Sequence, residues 1–507
     1  MKKLLSIILL ITSLFALSCN HNKSNSSSTS PIGKVGEIVV DPNGVTPLSA
    51  VYTTATVNAA PITVTVKGLY GEPDIIHTYQ AGYGTEFEIH GMFPESQNTI
   101  EVNDGGRIIT KNVSVGSLPN GIQKKYDVEI NNLPEEKYKN NPELYFFSPN
   151  QNWNGWKGIL GMSDNGYIRY INTVTTYFSK IYINNLKISF FDTAEGGDPN
   201  SGLYDLLGNR IIKYSTSSHH DVIKVHNNYI YLSYSTWGSE DRLVEINSVG
   251  SKVRELSFGK LIQNTLDLKT YPGDEAIFKQ IAFGEDVNNI YTVNGLQKSA
   301  DWFHANSLVY DSSTDILYVS SRTRAVLAID YSEWKLIWWM ADDTLATSGI
   351  PYNVYLKDLK SLEPYRVKGD VINDGPKNQH ALFLHENDNL GMFDNGGDTT
   401  YTSGSRYVEY KITGTHGNYT AQKVDEYKDA SLYSSIMSDV DFTGENHQNL
   451  LLTYAYPTAR ILEVEKNSKK ELFKLSLPFM TYRADKMPLY YDEGRVYSED
   501  CNLKNSN

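Results

Sequence analysis

Cysteine is almost missing: Cys19 and Cys501 are the only two in the chain, so no disulfide framework can staple a small fold. A membrane-crossing run is lacking too. The apolar stretch from Leu4 to Leu17 is 14 residues long, against the roughly 20 that a spanning helix requires. There is no long amphipathic helical repeat. Positive charge is in deficit: the formal net charge is -13, and no segment gathers the Lys and Arg excess that phosphate neutralisation demands, which excludes a nucleic-acid binder. An anionic substrate must therefore be drawn in by a local cationic site and not by the field of the whole molecule. What is abundant points one way. Aromatic residues make up 12% of the chain, 36 of them Tyr, and turn clusters of Thr, Ser, Asn and Gly recur throughout, which favours an all-β fold. At 507 residues there is room for one large domain and a smaller one.

The first residues read as a targeting signal. Met1-Lys2-Lys3 is a charged start, Leu4 to Leu17 an apolar middle, and Ser18-Cys19 a small residue before cysteine. This resembles a bacterial lipoprotein signal, with residues 1–18 removed and Cys19 acylated. Plain secretion with cleavage nearby is the other reading, because Ala16 stands where Leu is commoner. The expected location is the periplasmic or cell-surface side of a bacterial membrane, the outer membrane being favoured. Residues 19–32 are polar and coreless, as a tether should be. With Cys19 acylated, Cys501 has no partner, so no disulfide is expected in the folded body.

From 33 to 135, short alternating runs such as PITVTVKG and TEFEIHG, split by Gly, Pro and Asn turns, predict an antiparallel β-sandwich of about seven strands. Residues 136–507 carry a repeat. Gly166, Gly208 and Gly250 are 42 residues apart, and Trp334 falls in the same phase. That is the spacing of four-stranded propeller blades. With similar hairpins near 417 and 469, six blades are expected, a sandwich array with coincidental glycines being the alternative.

Three places combine His or Arg with strand ends: His219-His220-Asp221; His304, Asn306 and Ser307, with Arg322 one hairpin on; and His380 in NQHALFL. If each opens an innermost strand, their side chains line one central channel. Zinc is one candidate ligand for several histidines. However, no HExxH is present and Arg322 would repel a divalent cation, so a tetrahedral anion such as sulfate or phosphate fits better. A lone histidine near a strand end is commonly a structural, hydrogen-bonded residue. His226 and His385 read as packing or solvent positions, Trp338-Trp339 as inter-blade core, and Asp394 to Asp398 as a hairpin turn, since it lacks the order of a calcium loop.

The strings HHD, D-W-x-H-x-N-S with S-S-R ending 18 residues after the His, Q-H-A followed by F-D-N-G, and the hairpin D-N-G-Y-I-R-Y resemble those of bacterial arylsulfate sulfotransferases that work without the nucleotide donor PAPS. The phrase VDPNGVTPLSAVYTT is similar to the start of their N-terminal sandwich, and the likeness runs from 35 to about 480. It implies a six-bladed propeller that passes a sulfuryl group from a phenolic sulfate ester to a phenol by a ping-pong route. It needs no metal and no nucleotide. It implies His380 as the nucleophile that becomes sulfohistidine, His304 and Arg322 as ligands of the sulfuryl oxygens, and Asn306 as a donor close by. His220, which abuts Asp221, completes the cluster, with His219 as its substitute. Either His304 or His220 serves as acid and base, and Arg322 is expected to lower the pKa of His380. A homodimer is compatible with this reading. After IWWM the chain runs ADD where the family usually has a glycine pair, and from KDASLYSSIMSDVDF onward no site residue is recognisable. Two rivals remain: a propeller lipoprotein that binds an anionic glycan or aromatic ligand without turnover, and a metal-dependent propeller hydrolase.

Overall fold

The computed structural model describes residues 34–150, 155–174, 178–193, 201–234, 240–266, 291–293, 296–298, 303–322, 325–342, 360–385, 387–396 and 404–497. The targeting segment, the tether and both cysteines lie outside the described residues, as does the end of the Asp394 turn. Alternating runs fold here as strands with one face inward. Ile62–Val66 and Gln97–Asp104 bury every second residue or more, and they pair with Ile75–Tyr79 and Arg107–Ser114 in a four-stranded sheet. A three-stranded sheet of Ile38–Val40, Ser49–Thr53 and Glu86–His90 faces it across Tyr52, Val64, Phe87 and Ile100. The two sheets form the expected small sandwich.

The rest is a β-propeller. Among the described residues, six sheets each carry four strands in up-and-down order, two of them with a further edge strand. Burial tracks position in the sheet. The second strand Asn449–Tyr454 is an unbroken buried run, as an interior strand covered on both faces must be, whereas outer strands such as Lys252–Ser257 leave alternate residues in water. The innermost strands are β1 (Phe178–Asn184), β2 (Ser218–Val225), β3 (Ala305–Asp311), β4 (Gln379–Leu384), β5 (Asp439–Thr443) and β6 (Met480–Met487). Each lies beside the next, and β6 lies against both β5 and β1, so the six make a closed ring. β6 closes it: it comes from the C-terminal end yet pairs with Leu144–Asn150, the start of the propeller.

The 42-residue repeat has a physical origin. Gly166, Gly208 and Gly250 all sit in the turn between third and fourth strands with φ of 88°, 83° and 83°, and Trp334 holds the same turn at 50°. Gly417 (83°) and Lys469 (57°) occupy it in the last two sheets. At Gly166 the requirement is also steric, since a Cβ would lie 2.0 Å from the Tyr126 carbonyl oxygen. Trp338 and Trp339 are buried on opposite faces of their sheet, in two different inter-sheet cores, as expected. One boundary moves. Val128–Asn131, placed in the sandwich by the sequence, pairs with Glu471–Ser476 as an outer strand of the last propeller sheet, because its mixed burial suits a sheet edge.

The sandwich is fixed to the propeller by a buried ion pair. Arg169, from the DNGYIRY hairpin, donates from Nε to the Gly91 carbonyl at 2.8 Å, meets Glu72 at 3.5 Å and lies 3.9 Å over the Phe93 ring. Asn165 of the same hairpin donates to the other Glu72 oxygen at 3.0 Å. Replacing Arg169 by Met strands the Glu72 carboxylate in an apolar interface and should cost about 3 kcal/mol, read as a lower denaturation midpoint. Adding Glu72→Gln should recover most of that loss. A midpoint unchanged by Arg169→Met would show that the pair does not hold the domains together.

Candidate active site

Inner strands supply the site because their ladders break where the histidines stand. The register slips between His219 and Val222 on β2, between Ala305 and Ser307 on β3, between His380 and Leu382 on β4, and between Thr481 and Ala484 on β6. His220, His304 and Ala381 take left-handed backbone angles of 54°, 48° and 48° at or beside three of these bulges. A bulge turns a side chain out of the alternating pattern, here toward the axis, at a cost of about 1 kcal/mol or more per strained residue.

The result is convergence. His220 Nε2 lies 3.2 Å from His304 Nε2, and the His220 ring centroid is 5.8 Å from that of His380. His380 Nδ1 donates to the Ser438 carbonyl at 2.8 Å, which fixes the tautomer and leaves Nε2 as the basic nitrogen facing the cluster. Tyr482 stands between the rings, its hydroxyl 2.8 Å from His220 Nδ1 and 3.3 Å from His380 Nε2. One phenolic proton cannot serve both. The His220 carbonyl is a further acceptor at 3.2 Å, and a proton given to either atom of His220 leaves the His380 lone pair uncommitted. Burial above all, then the Arg483 guanidinium and the His220 ring, holds the His380 pKa well below its usual value, so the imidazole is neutral at physiological pH. The expected helper was Arg322; the structure gives that part to Arg483, which β6 brings over the same site and which meets Asp221 at 3.5 Å and Asp439 at 3.9 Å.

Other members of the strings brace the ring. The Asp221 carboxylate accepts from Val222 N at 2.9 Å on its own strand and from Leu308 N at 2.9 Å on β3. Ser307 Oγ accepts from Leu382 N on β4 at 2.8 Å, and Asn306 Nδ2 donates to the Gln379 carbonyl at 2.8 Å. Asn306 thus braces the strand that carries His380, while its buried Oδ1 has no hydrogen-bond partner. Arg322 closes the β3 hairpin, donating its backbone N–H to the His304 carbonyl at 2.9 Å.

His219 packs edge-on behind His220, their ring centroids 5.1 Å apart. It is fully buried, with Nε2 3.1 Å from the Ser233 carbonyl and its ring against Tyr234. His226 bonds the Tyr310 hydroxyl and His385 bonds Lys466, structural uses in both cases. Asp394 is occupied by Arg406 and Lys377 N. The last third, in which the sequence showed no site residue, contributes Ser438, Tyr482 and Arg483. Its visible signal is MTYRADKM: polar and charged side chains in a strand buried from end to end. Glu240 was missed as well. Its Oε2 lies 3.0 Å from His220 Nε2, 3.4 Å from His304 Nδ1 and 3.6 Å from His219 Nδ1.

Among the described residues, two groups have the donors for a metal: His219, His220 and Glu240, and Asp439, Asp441 and Asp485. The carboxylates lie close to Arg483 and Lys180, and burial pushes Asp439 up to about 7, so protons and cationic side chains balance them already.

A family model described as "Arylsulfotransferase (ASST)" matches residues 129–490, and one described as "Arylsulfotransferase Ig-like domain" matches 37–112. Arylsulfate sulfotransferase AssT of Lelliottia amnigena is 28% identical over 172 residues, 29% of this chain and 27% of that protein. The protein of the same name from Escherichia coli O6:H1 (strain CFT073) is 27% identical over 177 residues, 30% of this chain and 28% of that one. The matched stretch thus spans about a quarter of the length of these curated relatives. Among solved structures, the β-propeller domain of Myceliophteria thermophila Cps50 (Swd1) is 11% identical at a TM-score of 0.35, covering 71% of this chain and 89% of that one. Citrobacter koseri AztD is 7% identical at 0.31, covering 86% and 100%.

The buried histidines make stability depend on pH. Burial lowers His219 from 6.5 to about 4, so between those values the unfolded chain binds the extra proton. The stabilisation present above pH 6.5 is lost as pH falls toward 4, and His380 adds to the loss. Stability at pH 5 should be about 2 kcal/mol below that at pH 7 from His219 alone. Denaturant titrations should show His219→Gln losing correspondingly less; an equal loss would mean that this ring is not buried neutral.

Proposed function

Since the chain belongs to the arylsulfotransferase family, we propose that it transfers a sulfuryl group from a phenolic sulfate ester to a second phenol by way of a sulfohistidine at His380. The observation that carries this reading is the aim of His380: its Nδ1 is held by the Ser438 carbonyl, its pKa is depressed, and its Nε2 points to the Tyr482 hydroxyl with the His220 ring 5.8 Å away.

In the first step the His380 Nε2 lone pair forms a bond to sulfur while the sulfur–aryl oxygen bond breaks and its electron pair leaves on the phenolate. A loose transition state places charge on that oxygen and on the three equatorial oxygens. Arg322, with His304, takes the equatorial oxygens, each preorganised donor contributing on the order of 3 kcal/mol. His220 or His304 gives the phenolate its proton. Glu240 beside both rings and Tyr482 on His220 Nδ1 support proton delivery from this pair. The second step runs in reverse: the same imidazole removes the proton of the incoming phenol, whose oxygen takes sulfur from His380. The protein would act outside the cytoplasm, anchored through Cys19.

Incubation with p-nitrophenyl sulfate alone should release at most one equivalent of nitrophenolate per chain, with sustained release only when phenol is present, and EDTA should not stop it. Release that fails altogether points to a binder; loss on chelation points to a metal hydrolase. His380→Ala should abolish transfer with the fold intact, and donor alone should add the mass of one SO3 to the peptide that contains His380. An unmodified peptide from an active enzyme would rule out the covalent route. Tyr482→Phe should lower kcat by about 10- to 100-fold with little change in KM, because it disturbs proton delivery more than binding.

A further inference from the structure

The carboxylate that the sequence did not reveal changes what His219 and His220 can do. His219 gives its Nε2–H to the Ser233 carbonyl at 3.1 Å, so Nδ1 carries a lone pair. That nitrogen is buried, meets no hydrogen-bond donor, and lies 3.6 Å from Glu240 Oε2. Two electron-rich atoms facing each other in a largely buried site repel unless a cation lies between them. His220 Nε2 is 3.0 Å from the same oxygen, and its Nδ1 has the Tyr482 hydroxyl at 2.8 Å. With an ion on Nε2, the His220 proton sits on Nδ1 and is donated to the Tyr482 oxygen, whose own proton goes to the His220 carbonyl at 3.2 Å. Each imidazole then has its outer nitrogen held by an oxygen, the arrangement that orients metal-bound histidine.

We propose that His219 Nδ1, His220 Nε2 and Glu240 Oε2 form a binding site for a divalent transition ion of the zinc class. The three residues each offer one ligand atom, all within 4.8 Å of one another. Bonds of about 2.0–2.1 Å in a tetrahedron place neighbouring ligand atoms roughly 3.3 Å apart, and the two nitrogen–oxygen separations bracket that value. Two nitrogens and one carboxylate oxygen select zinc over magnesium or calcium, which prefer oxygen alone. The fourth position faces His304, 3.4 Å from Glu240 through Nδ1. Arg322 argued against a metal when only histidines were in view; Glu240 supplies the charge that offsets it. An ion here engages His220, so on the reading of sulfuryl transfer given above it inhibits the reaction reversibly.

The test uses the full chain, stripped with EDTA and desalted, and titrated with zinc by calorimetry. One ion per chain should bind, and Mg2+ should not compete. X-ray absorption should report two imidazole nitrogens and a carboxylate oxygen in the shell. His219→Gln and Glu240→Gln should each weaken binding at least about 100-fold. The site is refuted by the absence of stoichiometric binding, by equal affinity in both variants with wild-type melting, or by a shell without imidazole. Activity is scored separately. Zinc binding by a metal-free protein that transfers no sulfuryl group keeps the site and sinks the transferase reading, and transfer without zinc binding does the opposite.

Discussion

The closed ring depends on buried polar atoms that reach from one innermost strand to the next. Asp221 is the clearest. One oxygen of its carboxylate satisfies its own strand at the bulge, the other takes the Leu308 amide of the neighbouring strand, and Arg483 from a third strand offsets the charge. Bulges free backbone N–H groups from the ladder, and an unpaired buried N–H costs on the order of 1–3 kcal/mol. Asp221 and Ser307 return those groups to hydrogen-bonded partners, and in doing so fix the angle between neighbouring sheets. The distortion that turns the histidines inward is therefore stabilised by the residues next to them in sequence.

The same economy of position separates the roles within the cluster. His380 is sealed, held by one carbonyl and kept neutral by burial and a guanidinium. His304 is the most open of the three, with 15% of its side chain exposed, so the cluster meets solvent on that side. His220 lies between, tied to Tyr482 on one nitrogen and to Glu240 on the other. On the proposed mechanism, nucleophile and proton carrier differ by surroundings and not by residue type.

Much of this was legible in the chain. The repeat could be read because a left-handed turn recurs between third and fourth strands, and glycine marks it at 166, 208 and 250. It faded later because Trp334 and Lys469 adopt that turn without glycine, a choice that tertiary contacts can enforce but composition cannot announce. His220, His304 and His380 stood out through their flanking strings, and several flanking residues prove to brace the ring as well. Glu240, Ser438 and Tyr482 were invisible for a different reason. None belongs to a local pattern: Glu240 enters from the connection between the second and third strands of the His220 sheet, and Ser438 and Tyr482 arrive only when strands distant in the chain become neighbours. The pull on the His380 proton was expected from Arg322 and comes from Arg483, because the sequence could not say which strand completes the ring.

That final strand sets an order of events. β6 is made more than 300 residues after Leu144–Asn150, the strand with which it pairs, so that strand waits for it. It delivers Tyr482 and Arg483 to the axis. Until it docks, His380 lacks the guanidinium that helps keep it unprotonated, and His220 lacks its phenolic neighbour. A chain in which this strand has not yet docked thus lacks the assembled site. Competence arrives all at once, when tail meets head.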